Sequence, residues 1–276
     1  MKTLDTLTIC GAGLIGGSVA LAARRAGVVR RLIAIDRASA PSTHPFDLWL
    51  EQTDHASVER AFAESTLILL CTPVRAIIAA LPAALRSGAI VSDCGSTKLA
   101  IATAARSCPG SERFVPSHPM AGRPVGGLEH ASAELFDARR WLICPEGAGP
   151  AALSLVDEFV RALGAVPVEL SAREHDHSVA VTSHLPQVLA SALAALADSE
   201  QALSAAGPGF ASATRVAGGA ESMWSDIFAT NGSEIGRALR LLARELEVTG
   251  RGLENGDASL VLGLLERARA ARKNGD

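Results

Sequence analysis

A glycine pattern near the start constrains this chain more than any other feature. Residues Cys10–Gly17 read C-G-A-G-L-I-G-G, so Gly11, Gly13 and Gly16 stand in a G-x-G-x-x-G spacing. An apolar run precedes it, a helix-forming run follows, and Asp36 lies twenty positions past Gly16. In that context the pattern reads as a strand–turn–helix–strand unit that holds a dinucleotide. Gly11 permits the tight turn, Gly13 lets a pyrophosphate approach the backbone, and Gly16 lets helix pack closely on strand. Leu14 and Ile15, at the start of the helix, belong with the cofactor-binding positions, because free N–H groups and the positive helix end attract the pyrophosphate. Asp36 ends the second strand. Its carboxylate can accept from ribose hydroxyls and would repel a 2′-phosphate, which favours NAD over NADP. Arg37, beside it, is the residue that could receive such a phosphate.

Apolar runs rich in Ile, Val and Leu recur at Leu7–Gly11, Leu32–Asp36, Leu67–Thr72, Ala89–Cys94, Phe114–Ser117, Trp141–Cys144 and Val166–Leu170. Continuous apolarity suits strands covered on both faces. Helix-forming stretches alternate with them at Ile15–Ala26, Ala76–Arg86, Lys98–Ser107 and Ala151–Leu163. Strand–helix alternation predicts an α/β fold with a parallel sheet of Rossmann type over residues 1–170. Beyond Leu170 the strand-like runs stop. Glu174–Ala197, Glu200–Ala206, Ser222–Asn231, Ser233–Glu247 and Ala258–Arg272 all read as helices, giving an all-helical domain over 171–276. Val179–Ala197 is apolar on nearly every side and should be buried all round. About 100 residues enclose such a helix poorly alone. A homodimer through this domain is therefore expected.

Composition removes several classes. Net charge is −3, with no basic cluster to neutralise phosphates, so no nucleic-acid partner is expected. The start has no signal-peptide pattern. Val179–Ala197 is interrupted by Thr182, Ser183, His184, Pro186, Gln187 and Ser191, which a bilayer tolerates poorly, so no membrane partner is expected. Cys10, Cys71, Cys94, Cys108 and Cys144 form no CxxC pair and read as reduced thiols. A cytoplasmic protein is the expectation.

In open α/β sheets, reactive groups collect beyond the carboxyl ends of the strands. Thr72 and Pro73 close one strand and can line a nicotinamide. Ser96, in D-C-G-S-T-K, closes the next, and His118, in S-H-P-M-A-G, the third. A histidine titrates near neutral pH, which suits removal of a hydroxyl proton while hydride leaves the same carbon. His118 is the expected general base, with the Ser96 hydroxyl bonded to it or to substrate.

Taken in order, G-A-G-L-I-G-G-S, D-C-G-S-T-K, S-H-P-M-A-G, S-H-L-P-Q (Ser183–Gln187), T-R-V-A (Thr214–Ala217) and M-W-S-D-I (Met223–Ile227) resemble the prephenate/arogenate dehydrogenases of tyrosine biosynthesis. The resemblance implies oxidative decarboxylation of a small anionic cyclohexadienyl substrate, with hydride passing to NAD. It also implies a Rossmann domain followed by a helical dimerisation domain. By it, Arg215 matches the arginine that meets a substrate carboxylate, His184 a second substrate-binding position and Trp224 an aromatic near the pocket. Gly122, closing S-H-P-M-A-G, joins the substrate-binding positions. Trp224 has an equal claim as core packing between helices. Many members carry an acidic residue three before that arginine; Ser212 stands here instead, which bears on substrate choice. With the chain ending near Asp276, the C-terminal regulatory domain some members carry is not expected. His175 and His177 lie near His184 in sequence, but without Cys or carboxylate ligands in zinc-like spacing no metal is expected. The alternatives are a 4-amino-4-deoxyprephenate dehydrogenase, a 3-hydroxy acid dehydrogenase, or a non-catalytic NAD sensor. A 3-hydroxy acid enzyme would want a lysine in the helical half, and Lys98 and Lys273 are the only lysines after Lys2. A sensor would not need His118, Ser96 and Arg215 together.

Overall fold

Apolar side chains alternate between the two faces of each central strand, and each face is closed by helices. The computed structural model describes residues 2–123 and 125–273; Met1 and Asp276, the ends of the two expected domains, lie outside them. In chain order the elements are β1 Leu4–Cys10, α1 Leu14–Ala26, β2 Val29–Asp36, β3 Leu48–Glu51, α2 His55–Ala63, β4 Leu67–Leu70, α3 Val74–Arg86, β5 Ile90–Asp93, α4 Leu99–Arg106, β6 Phe114–Val115 and β7 Ser117–Pro119. Then come β8 Arg140–Ile143, α5 Pro150–Ala162, β9 Val166–Glu169, α6 Ala172–Val179, α7 Leu185–Ser199, α8 Pro208–Thr214, α9 Glu221–Glu254 and α10 Ser259–Lys273.

Six strands form a parallel sheet in the order β3-β2-β1-β4-β5-β6. On one face Leu7, Ile9, Leu67 and Leu69 pack with Val19 and Ala23 of α1 and Val156 and Phe159 of α5. On the other, Ile33, Ile35, Ile68 and Leu70 pack with Phe62 of α2, Ile77 and Leu81 of α3 and Ile101 of α4. Period-two alternation on a sheet sandwiched by helices explains why these strands read as unbroken apolar runs.

The single sheet expected from the strand pattern needs correction. Trp141–Cys144 and Val166–Leu170 form no part of it. They supply β8 and β9 of a second, three-stranded sheet, β7-β8-β9, in which β7 and β8 are antiparallel. The expected strand Phe114–Ser117 is divided between the two sheets at Pro116, which has no N–H to give to a ladder. Strand β3 and helix α2 were not anticipated; β3 is a short, half-buried edge.

Helices dominate after Glu169, with two corrections. Glu200–Ala206 is not a helix: Gln201 adopts a positive φ of 54°, ending α7, and only a single turn at Leu203–Ala205 follows. The expected Ser222–Asn231 and Ser233–Glu247 are one element, α9, bent at Asn231 (φ −130°, ψ 18°). Within one chain Val179–Ala197 keeps one face open, as expected of a helix that about 100 residues enclose poorly. Val181, Leu193 and Leu196 are 46%, 40% and 57% exposed. The run Ala172–Ser199 is long and apolar enough to cross a bilayer by composition. Its first half, however, carries buried His175, Asp176 and His184, all bonded within the protein.

Candidate active site

The cofactor cleft opens where β1 meets α1. Gly11 has φ +93°, and a side chain there would press on the Cys71 carbonyl oxygen at 2.7 Å. A Cβ on Gly16 would collide with the Gly11 carbonyl oxygen, so strand and helix can approach only without it. Gly13 caps α1 with no side-chain acceptor and no acid in the first turn. The N–H groups at Leu14 and Ile15 are left as free donors at the positive helix end. A cleft of about 580 Å³ runs from there past Cys10, Ile35, Asp36, Arg37, Thr72 and Pro73. Its shape and donors fit a dinucleotide. The Asp36 carboxylate accepts from Ala12 N at 2.7 Å and Ala38 N at 3.0 Å. It is thus fixed to the glycine loop and keeps lone pairs for hydroxyl donors. Cys10 and Cys71 line this cleft as free thiols, with Cys94 against Cys71. Burial pushes the Cys10 thiol up to about 12, so it is an inert wall.

A second cavity, about 270 Å³, lies beyond the ends of β5 and β7. Ser96, His118, Pro119, Met120, Ala121, Gly122, Ser183, His184, Met223, Trp224 and Ile227 line it. Five expected site residues, Ser96, His118, Gly122, His184 and Trp224, therefore converge. Arg215 does not: it is exposed at the end of α8 and is not among the lining residues. The segment after it is nevertheless tied to the cavity wall. The Gln187 amide donates to the Ala217 carbonyl at 3.4 Å, and Gly219 lies against the Trp224 indole nitrogen.

The expected Ser96–His118 hydrogen bond is not formed. His118 Nδ1 lies instead 2.9 Å from His175 Nε2, and His175 Nδ1 lies 2.8 Å from Asp176 Oδ1. Proton positions follow by elimination. A carboxylate only accepts, so His175 Nδ1 carries the hydrogen. His175 Nε2 then presents a lone pair, so His118 Nδ1–H donates to it. The remaining nitrogen of His118, Nε2, is left with its lone pair free. Burial, and next the neighbouring His175, hold the His118 imidazole well below its usual range. Burial likewise lowers His175, and it takes His184 down to about 4.

Sequence reasoning missed His175 and Asp176 as partners of His118, and missed the buried pair behind them. Lys98 Nζ and Asp93 form a fully buried ion pair. Asp93 also accepts from the N–H groups of Gly95 (2.8 Å) and Ser117 (3.1 Å). Asp176 caps α4, accepting from Lys98 N (2.7 Å) and Leu99 N (3.0 Å). The one local signal is that D-C-G-S-T-K holds both partners of the ion pair five residues apart. The three histidines once grouped as a metal possibility do not converge, since His177 pairs at the surface with Glu234 and Arg237.

The chain resembles known proteins along nearly its whole length. Residues 19–169 match the family described as "Prephenate dehydrogenase, nucleotide-binding domain", and residues 171–267 match "Prephenate dehydrogenase, dimerization domain". The cyclohexadienyl dehydrogenase of Zymomonas mobilis is 29% identical over 99% of this chain and 96% of its own length. The prephenate dehydrogenase of Aquifex aeolicus, solved with hydroxyphenyl propionate and NAD+, superposes with a TM-score of 0.89 at 25% identity, over 99% of both chains. Synechocystis arogenate dehydrogenase superposes at 0.77, also at 25% identity, over 98% of this chain and all of that one.

Proposed function

The chain belongs to the prephenate dehydrogenase family, and from that premise we propose how its site works. It is an NAD-dependent dehydrogenase that catalyses the oxidative decarboxylation of prephenate or arogenate. NAD, when bound, supplies the acceptor for the hydride that leaves C4 of the substrate. Gly11, Gly13, Leu14, Ile15 and Gly16 seat its pyrophosphate, Asp36 its ribose, and Thr72 and Pro73 border its nicotinamide end. His118 Nε2 takes the C4 hydroxyl proton, with His175 and Asp176 spreading the charge that arrives on the ring. Loss of CO2 from C1 completes the aromatic ring, and the phenolic oxygen recovers a proton from His118. The product is 4-hydroxyphenylpyruvate from prephenate or tyrosine from arogenate.

The observation that carries this reading is the chain Asp176–His175–His118, which leaves one basic nitrogen against a cavity beside the cofactor cleft. Ser96 holds the substrate hydroxyl rather than the base. His184, Gly122 and Trp224 line the substrate, and Arg215 meets a carboxylate, its planar fork suiting two-point contact. NADH formation with prephenate, arogenate and 4-amino-4-deoxyprephenate in parallel tests the reading. Turnover of either of the first two is expected. Turnover of the amino compound alone, or NAD binding without turnover of any of them, overturns it.

The protein works as a homodimer through its helical half. Leu189, Leu193 and Leu196 make an exposed apolar stripe on α7, and the matched family region is a dimerisation domain. Size-exclusion chromatography with light scattering at micromolar concentration should give a two-chain particle; a single-chain mass would reject the dimer. Five free thiols suit a reducing compartment, and we place the enzyme in the cytoplasm.

A further inference from the structure

His184 sits in a one-turn widening of the helical run, Ala180–His184, where the backbone is wound as a π-helix. Facing it is Asn231, at the bend of α9, only 3% exposed. The Asn231 amide nitrogen donates to the Asp176 carbonyl at 2.8 Å, and this bond fixes which way the amide points. The same NH2 group lies 3.3 Å from His184 Nδ1. An NH2 group can only donate, so His184 Nδ1 must accept. A neutral imidazole that accepts at Nδ1 carries its hydrogen at Nε2. Nε2 has no protein partner among the described residues, and the residue lines the cavity shared with His118. Its ring is braced edge-on by Trp224, with centroids 5.9 Å apart.

We propose that Asn231 is a positioning residue that locks His184 as a neutral Nε2–H donor, aimed at an acceptor oxygen of the substrate. The inference rests on the reading that His184 contacts substrate. It also accounts for the bend. Asn231 leaves helical geometry, and its side chain bonds the Asp176 carbonyl and His184 at once. One residue thereby couples the element carrying the His118 relay to the element carrying His184. The charged and titratable groups around His184 are Asp176 and His175 on α6 and His118 in the shared cavity. Burial outweighs the Asp176 carboxylate and keeps the ring neutral.

The first test needs no variant. In the intact enzyme carrying isotope-labelled histidine, nitrogen NMR should show His184 as the Nε2–H tautomer at neutral pH. An Nδ1–H tautomer or an imidazolium overturns the proposal. The second test uses Asn231→Asp, which places an acceptor where the donor stood. His184 should then take its hydrogen at Nδ1, leaving only a lone pair at Nε2 toward the substrate oxygen. KM for substrate should rise roughly tenfold, as one hydrogen bond to a charged group is lost, with kcat within about threefold and KM for NAD unchanged. Substrate KM unchanged in Asn231→Asp but raised in His184→Leu overturns the role of Asn231 alone. KM unchanged in His184→Leu removes the premise that His184 meets substrate, and the inference with it.

Discussion

His118→Asn is expected to lower kcat by on the order of 10²- to 10⁴-fold, the range a positioned general base supplies. Asparagine keeps a donor toward His175 but offers no basic nitrogen to the cavity. Binding of NAD should survive, because the glycine loop and Asp36 lie on other elements, β1, α1 and β2. Calorimetric titration with NAD beside single-turnover kinetics separates the two effects. An unchanged kcat would sink the mechanism. The pH profile gives a second check. The base works only when neutral, and burial with neighbouring positive charge lowers its pKa. Activity should therefore hold through neutral pH and fall only below the ordinary imidazole range, as pH drops through the lowered value. In His118→Asn that acid limb should vanish.

Lys98→Met is expected to cost about 3–5 kcal/mol of stability, since it strands the Asp93 carboxylate in a buried site. The melting temperature should fall by on the order of 10 °C, read by calorimetry. The two backbone donors to Asp93, from Gly95 and Ser117, remain. They do not replace a full positive charge, and burial already pushes the Asp93 carboxyl upward. Lys98 also helps to hold His118 low, so in any folded Lys98→Met enzyme the acid limb should move to higher pH. Wild-type melting behaviour with an unmoved limb would show that the pair supports neither the fold nor the base.

What could be read from the chain was what its chemistry writes locally. The turn at Gly11–Gly16 and the carboxylate at Asp36 belong to one contiguous unit, so their spacing is visible without a structure. His118, Ser96 and Thr72 were legible because strand ends are where such sheets present side chains. The relay was not. His175 is fifty-seven residues from His118, and nothing in a Glu-His-Asp-His stretch says which imidazole turns inward. Sheet membership was hidden for a similar reason. Apolarity marks Trp141–Cys144 and Val166–Leu170 as buried strands, but ladder partners are a long-range matter, decided here by Pro116 diverting the chain. In the helical half the sequence showed an apolar helix larger than one chain can cover, and among the described residues one face of α7 is indeed left open.

The Asp176 carboxylate joins two parts of the molecule that the chain makes separately. One carboxylate caps the first turn of α4, in the sheet-bearing half, and orients His175, in the helical half. Alignment of the base is thus an outcome of assembly rather than of either half alone. A folding intermediate with its nucleotide cleft already formed would bind NAD and yet hold His118 without its relay. Every residue lining the cleft lies before position 84, whereas the base waits for the segment around Asp176 to be made and to dock. Cofactor affinity and chemical competence should therefore be acquired at different moments, with docking of this one carboxylate as the later event.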